Sequence, residues 1–111
     1  MTQDSKNKSY FSVSILFKSS IDGLSNDSSL WEEQIILVRA LSEIDAQELA
    51  KNYAIRQETS YKNINNSTVE WKFFRIERII DTGFFEIPEE AEIFSRFLKQ
   101  SEAKSLLEPF D

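Results

Sequence analysis

The chain contains neither cysteine nor histidine, and this absence constrains its fold more than any motif that is present. Disulfide bonds and zinc sites with sulfur ligands are excluded, so an apolar core must hold the structure together. Of the 111 residues, 41% are hydrophobic and nine are phenylalanine, which is enough for one domain around a single core. We therefore expect a polar, disordered tail over residues 1–8 and a single folded domain over residues 9–111.

The same absence narrows the chemistry that is available to the protein. No side chain has an unperturbed pKa near neutrality, and no thiolate nucleophile is present. Two glycines, Gly23 and Gly83, are too far apart to form a phosphate-binding loop. The composition therefore favours a protein that is not an enzyme, with no cofactor and no metal.

The net charge also restricts the partners that we expect. The formal charge is −6 and the pI is about 4.7, so the chain as a whole repels phosphate backbones and anionic lipid surfaces. Neither a secretory signal nor a bilayer-spanning apolar stretch is apparent. We expect a cytoplasmic protein that binds neither nucleic acid nor membranes.

Two strands are predicted in the first forty residues. Residues 10–19 alternate between apolar and polar side chains, which is typical of a half-buried strand. Residues 21–29 are rich in turn formers and predict a hairpin loop. Residues 30–40 form the second strand, and Ile35–Val38 are apolar on both faces. This pattern predicts a central strand that is covered on both sides.

A helix is predicted over residues 43–58. Ser42 stands three residues before Asp45, as in a weak capping box. The apolar residues then recur at helical spacing, and they form one stripe: Ala46, Leu49, Ala50, Tyr53 and Ala54. Ile44 and Ile55 fall outside this stripe, and we expect them to be exposed.

The second half of the chain predicts another hairpin and a short helix. Residues 61–63 and 69–80 flank Asn65-Asn66, which tolerate a positive φ. Strict alternation in the longer arm places two sets of side chains on opposite faces: Trp71, Phe73, Arg75, Glu77 and Ile79 on one, and Lys72, Phe74, Ile76, Arg78 and Ile80 on the other. Residues 91–98 fit a helix and a strand equally well, and residues 101–107 favour a short helix.

The chain resembles a known family of small uncharacterised bacterial proteins, domain-of-unknown-function family 4288. The resemblance covers about residues 9–98 and rests on an alanine-rich helix and on four further features: Leu30-Trp31-Glu32-Glu33-Gln34-Ile35, Tyr61, Trp71 and Ser95-Arg96-Phe97-Leu98. In that family the last element looks like a strand, so the resemblance favours a strand over residues 91–98, although Pro88-Glu89-Glu90 stands where the family has a turn glycine. The family implies no activity.

The predicted elements together define an α+β fold. We expect an antiparallel sheet of about four strands in the order β-β-α-β-β-α, with one main helix packed on one face. The doubly apolar strands suggest a homodimer, formed through the other sheet face or through Ile44 and Ile55.

The residues that carry candidate chemistry cluster around Trp31. Glu32 and Glu33 are adjacent on a strand and face opposite ways, so they do not form a catalytic dyad with each other. Either of them could act with Arg75 or Arg96 in a pocket roofed by Trp31 and Trp71. Solvated acids that pair across a sheet are the more ordinary interpretation.

Two further patterns have ordinary explanations. Asp22, Asn26 and Asp27 offer oxygen atoms but lack the spacing of a calcium loop, so they favour a turn. The aromatic residues near Lys72 and Arg75 could form a platform on which the bases of single-stranded nucleic acid stack, but packing in the protein core explains them more simply.

Two hypotheses about function follow from these patterns. The first is a non-enzymatic interaction or accessory module, such as an immunity-type protein, that binds another protein through an acidic surface. The alternative is a small-molecule-binding protein or a carboxylate-dependent enzyme that uses Glu32 or Glu33 with Arg75 or Arg96.

Overall fold

Four strands and two helices make up residues 8–26 and 29–108, the part of the chain that the computed structural model describes. Their bounds are β1 Ser9–Ile21, β2 Trp31–Ala40, α1 Glu43–Gln57, β3 Thr59–Lys62, β4 Thr68–Asp81 and α2 Gln100–Leu107. The α+β class and the predicted order of elements are confirmed. The predicted tail lies outside the described residues except for Lys8.

The four strands form one antiparallel sheet in the order β2-β1-β4-β3. β1 is central, and the side chains on one of its faces are almost fully buried: Phe11, Val13, Ile15 and Phe17. β2 lies at an edge, so the prediction of a central position for it is wrong. Its apolar run is explained differently, because Ile36 and Val38 pack against the core while Ile35 and Leu37 are exposed on the opposite face.

Helix α1 covers one face of the sheet and packs on it through alanines. The Ser42 hydroxyl accepts a hydrogen bond from the Asp45 N–H at 3.2 Å, which confirms the predicted cap. Ala46, Ala50 and Ala54 are completely buried against the core of β1. Leu49 is 45% exposed, so the buried stripe is narrower than the spacing predicted. Ile44 and Ile55 are exposed, as expected.

Two bulges in β4 change the face on which its side chains lie. The pairing of β4 with β1 shifts between Ser14 and Ile15 and again between Leu16 and Phe17. At each shift one residue of β4, Glu77 or Phe74, is additional to the ladder. The core side of β4 is therefore Phe73, Ile76 and Ile79, whereas Arg75 and Arg78 lie on the opposite side. The strictly alternating arrangement predicted for this strand is wrong for that reason.

The segment that follows β4 adds no further strand to the sheet among the described residues. The backbone pairs with β1 as far as Phe84, whose carbonyl accepts from the Tyr10 N–H at 2.8 Å. Residues 91–99 have no regular structure, so the predicted strand over 91–98 is wrong. The ring of Phe94 lies 5.2 Å from the Arg78 guanidinium, which also donates to the Ser95 carbonyl at 3.1 Å, so Arg78 holds this part of the segment.

Helix α2 ends the described chain, close to the predicted position. Within the described residues it contacts neither the strands nor α1, and the Cα radius of gyration is 17.2 Å. A compact domain of this length has a radius of gyration of about 13 Å. The described molecule is therefore elongated, and helix α2 lies away from the sheet.

Candidate functional site

The face of the sheet opposite α1 is the surface on which functional side chains collect, and we call it the open face. Residues that pair directly across an antiparallel ladder share a face, and Lys18 pairs with Trp31 on one side and Lys72 on the other. The same alternation assigns further side chains to the open face: Tyr10, Leu16, Glu33, Ile35, Leu37, Arg39, Glu70, Arg75 and Arg78. The open face is thus built by all three long strands.

An exposed aromatic pair lies at one end of the open face. Trp31 and Phe74 are each about half exposed, and their ring centroids are 4.9 Å apart in an edge-to-face arrangement. The two residues belong to β2 and β4, so the pair spans the intervening strand β1. Phe74 is a bulge residue with no ladder partner of its own on β1, and its ring lies on the same side of the sheet as Trp31.

Cationic side chains surround the aromatic pair. The Lys18 ammonium lies 5.1 Å from the centre of the Trp31 ring, and the Arg75 guanidinium lies 5.9 Å from that of Phe74. Arg75 also forms an exposed ion pair with Glu77 at 3.1 Å. Both cation–aromatic distances fall within the range of favourable cation–π contacts.

The charges of this acidic protein are segregated between surfaces. The open face has five basic residues, Lys18, Arg39, Lys72, Arg75 and Arg78, against the acidic residues Glu33 and Glu70. Acidic residues are densest in the segment of residues 86–92, which holds four acidic residues and no basic one. The hydroxyl of Ser14 donates a hydrogen bond to the Glu33 carboxylate, so this acid is already partnered. The open face is therefore basic although the net charge of the chain is −6.

The six candidate site residues do not gather around one cavity. Lys18 pairs with Trp31 and Ser19 pairs with Trp71, and neighbours on β1 point to opposite faces. Trp71 therefore lies on the α1 side of the sheet while Trp31 lies on the open face. The two tryptophans do not roof a common pocket.

The remaining four candidates divide in the same way. Glu33 and Arg75 share the open face with Trp31, whereas Glu32 lies on the α1 side and accepts from Gln34 Nε2 at 3.1 Å. Arg96 belongs to the C-terminal segment, with its guanidinium 5.9 Å from the Phe94 ring. The structure brings together Trp31, Glu33 and Arg75 but not Glu32 and Trp71.

Trp71 lines a different cavity, of about 580 Å³, which the sequence did not reveal. Its indole N–H donates to the Tyr61 hydroxyl at 3.4 Å, and the loop between β1 and β2 supplies the opposite wall through Leu24 and Leu30. Asp22 also lines this cavity. The exposed apolar residues of that loop were the available signal, but nothing in their spacing indicated where the loop folds.

Asp22 has a structural role in that loop. Its carboxylate accepts from the Thr68 N–H at 2.9 Å, and this backbone hydrogen bond, followed by one from Ser67, lowers the pKa of Asp22. Its φ of 51° lies in the left-handed region, as the predicted turn requires. Asp27, the third member of the weak calcium pattern, lies outside the described residues. Within residues 8–26 and 29–108, no three acidic side chains assemble into a metal site.

These observations define a small α+β protein with one helical layer and an exposed, aromatic and basic sheet face. The chain belongs to the family described as Domain of unknown function (DUF4288), whose model matches residues 10–95. The resemblance drawn from the residues is thereby confirmed. No curated protein and no solved structure matches the chain. Among the described residues, neither helix has the length and apolarity needed to cross a membrane.

Proposed function

We propose that the protein is a non-enzymatic, cytoplasmic interaction module that binds another protein through the open face. The observation that supports this most is the Trp31–Phe74 pair, held half exposed on a sheet and flanked by Lys18 and Arg75. Tryptophan and arginine are the residues that most often dominate binding energy at protein interfaces. An apolar pair at the centre with charged side chains around it is the usual anatomy of such a surface.

The charge of the open face indicates the chemistry of the partner. Its basic residues complement an acidic surface, and complementary charge steers association and selects partners. This reverses the expectation from composition, in which the acidic protein docks on a basic partner. The difference arises because five basic residues gather on the open face, whereas residues 86–92 hold four acidic residues and no basic one.

The alternative, a small-molecule site or a carboxylate-dependent enzyme, has less support. Such sites are concave and bring several polar groups to one point. Trp31, Glu33 and Arg75 instead lie on a sheet surface, and Glu32 faces the other way. Arg75 pairs with Glu77 and Glu33 accepts from Ser14, so the contacts within the monomer do not join the Glu33 carboxylate to the Arg75 guanidinium.

Site-specific photocrosslinking in cells of the natural host tests the proposal. The photoreactive residue p-benzoylphenylalanine replaces Phe74 on the open face or, as a matched control, Ile44 on the outer surface of α1. Both positions are more than half exposed, so the probe is accessible in each variant. We expect a discrete protein adduct at position 74 that is weak or absent at position 44, and loss of the adduct when Trp31→Ala is added.

Three results would overturn the proposal. They are the absence of any adduct at position 74, equal adducts at the two positions, and an adduct that nuclease removes. The last result would assign the aromatic and basic face to single-stranded nucleic acid. Recovery of the protein outside the cytoplasm on cell fractionation would refute the proposed location.

A further inference from the structure

The outer edge of β2 is the least protected part of the sheet. Among the described residues no strand lies beyond it, and its ten residues pair with β1 without a bulge. Its centre, Ile35–Val38, is entirely apolar, and the strand contains no proline, glycine or lysine. A long, regular, apolar edge of this kind is a template for pairing with another strand.

The opposite edge of the sheet is protected, because its edge strand, β3, has only four residues. Beyond residue 71, β4 extends past the end of β3, but its two bulges at Phe74 and Glu77 interrupt the ladder there. The Glu58 carboxylate accepts from the Phe73 N–H at 2.9 Å, so a side chain occupies the first exposed donor. Bulges, charges and side-chain caps are the usual means of blocking edge pairing. β2 has none of the bulges or caps that block β4.

We propose that β2 pairs antiparallel with β2 of a second copy of this chain, about a two-fold axis at Ile36. The backbone directions allow this pairing. The Ser19 N–H of β1 donates to the Leu30 carbonyl at 3.0 Å. Because backbone groups alternate along a strand, the even-numbered residues of β2 direct their N–H and C=O groups toward β1. By alternation, Glu33, Ile35 and Leu37 direct their peptide groups outward, where an antiparallel partner can accept and donate.

The side chains of β2 are complementary to themselves in this register. With Ile36 on the axis, Ile35 lies opposite Leu37 of the second copy, and Glu33 lies opposite Arg39 of the second copy. All four residues belong to the open face, so the opposite charges meet on one surface. Shifting the axis to Ile35 or Leu37 places Glu33 opposite a leucine and loses both charge pairs. Arg39, whose guanidinium lies 5.5 Å from the Tyr10 ring, is held at the same surface.

The pairing would extend the sheet across both copies and place two aromatic pairs on one face. Trp31 is five residues from Ile36, so the two Trp31 residues would lie about 34 Å apart along the strand direction. The dimer would thus present two copies of the open face side by side. This inference concerns the strand edge and stands independently of what binds the open face.

Charge exchange tests the register. Glu33→Arg and Arg39→Glu each replace both attractive pairs by repulsive ones, and we expect each variant to dimerise about thirty-fold more weakly. An equimolar mixture of the two variants restores both pairs and should dimerise like the wild type. Glu32→Arg is the matched control, because it makes the same charge change beside Glu33 but lies on the α1 side, opposite Ala40 of the second copy. Sedimentation equilibrium from 1 μM to 1 mM, on the order of the range in which edge-paired dimers form, gives the dissociation constants.

Two further variants test the edge itself. Leu37→Pro removes an outward N–H and leaves the bonds to β1 intact, so circular dichroism should stay unchanged while the dimer is lost. Because the chain has no cysteine, Ile36→Cys introduces a single thiol, and the symmetric pair at the axis has a Cα separation of about 4.5 Å that suits a disulfide. Val38→Cys is its control, since those two residues would lie about 14 Å apart.

The outcomes separate clearly. A dimer that Leu37→Pro abolishes and that Ile36→Cys alone crosslinks supports the proposal. A monomer at every concentration refutes it, as does a dimer that Leu37→Pro leaves unchanged. The assigned register would also be overturned if Val38→Cys crosslinked as well as Ile36→Cys. The same holds if the mixture of Glu33→Arg and Arg39→Glu dimerised no more tightly than either variant alone.

Discussion

Replacing Ala50 by leucine tests the close packing of α1 on the sheet. Ala50 has no exposed surface and packs in the core cluster that includes Val13 and Ile15 of β1. Leucine adds three carbon atoms at a point where the helix and the strand are already in contact. The extra atoms can be accommodated only if the helix moves away or neighbouring side chains leave their preferred rotamers.

The expected cost follows from that absence of space. Overpacking of a well-packed core costs about 1–3 kcal/mol, because strain exceeds the gain from the additional apolar surface. For a domain of 111 residues the entropy of unfolding makes each kcal/mol equivalent to about 4 °C in Tm. We therefore expect Ala50→Leu to lower the Tm by about 4–13 °C.

Thermal denaturation followed by circular dichroism measures the Tm, and urea denaturation gives the free energy of unfolding. Wild type and variants are compared at one protein concentration, because the proposed dimer would add stability that depends on concentration. Asn52→Leu is the control, since Asn52 is exposed on the same helix and leucine there changes the free energy of unfolding by about 0.5 kcal/mol or less. If Ala50→Leu also unfolds within about 0.5 kcal/mol of the wild type, the alanine stripe does not set the distance between helix and sheet.

Three other perturbations have defined outcomes. A Cβ atom at position 83 would meet no neighbouring atom, so Gly83→Ala is penalised only by the φ of 78°. We expect it to lower the free energy of unfolding, measured by urea denaturation, by about 1–2 kcal/mol. An unchanged stability would contradict that φ. The pKa of Asp22 is lowered in the folded state, so its ionised carboxylate stabilises the fold at neutral pH, and this stabilisation is lost as the pH falls through that pKa. We expect Asp22→Asn to be less stable than the wild type at pH 7, with the difference in the free energy of unfolding shrinking toward pH 2. A difference that does not vary with pH would refute this. A double-mutant cycle of Trp31→Ala and Phe74→Ala should give a coupling free energy of about 0.5–1.5 kcal/mol in unfolding experiments, and a value near zero would show that the rings do not interact.

Local patterns predicted the elements whose side chains have one buried face. β1 alternates in the sequence as it does in the sheet, and α1 begins after Ser42 and buries its alanines as the helical spacing indicated. The turn at Asn65-Asn66 was also predictable, because Asn66 takes up a φ of 64° there. These elements obey rules that act over a few residues.

The remaining features depend on contacts between distant parts of the chain. The apolar run of β2 predicted a central strand, but the order of strands is set by β4 pairing with β1 on the side away from β2. In β4 the core residues Phe73, Ile76 and Ile79 are three residues apart, whereas a regular strand turns every second residue toward the core. Neither the alternation nor the strand propensity of these residues predicts that spacing. The bulge at Phe74 also separates Arg75 from Trp71, which the sequence placed on one face, because it moves Arg75 to the face of Trp31.

The bulges of β4 affect how related sequences should be compared with this one. Phe74 and Glu77 each share a single partner position on β1 with a neighbour. A relative that lacks one residue at either point keeps every inward-facing position of the strand, because simple alternation then takes over. One-residue gaps therefore belong opposite these two positions when homologues are aligned, and length differences there are expected to be neutral for the fold.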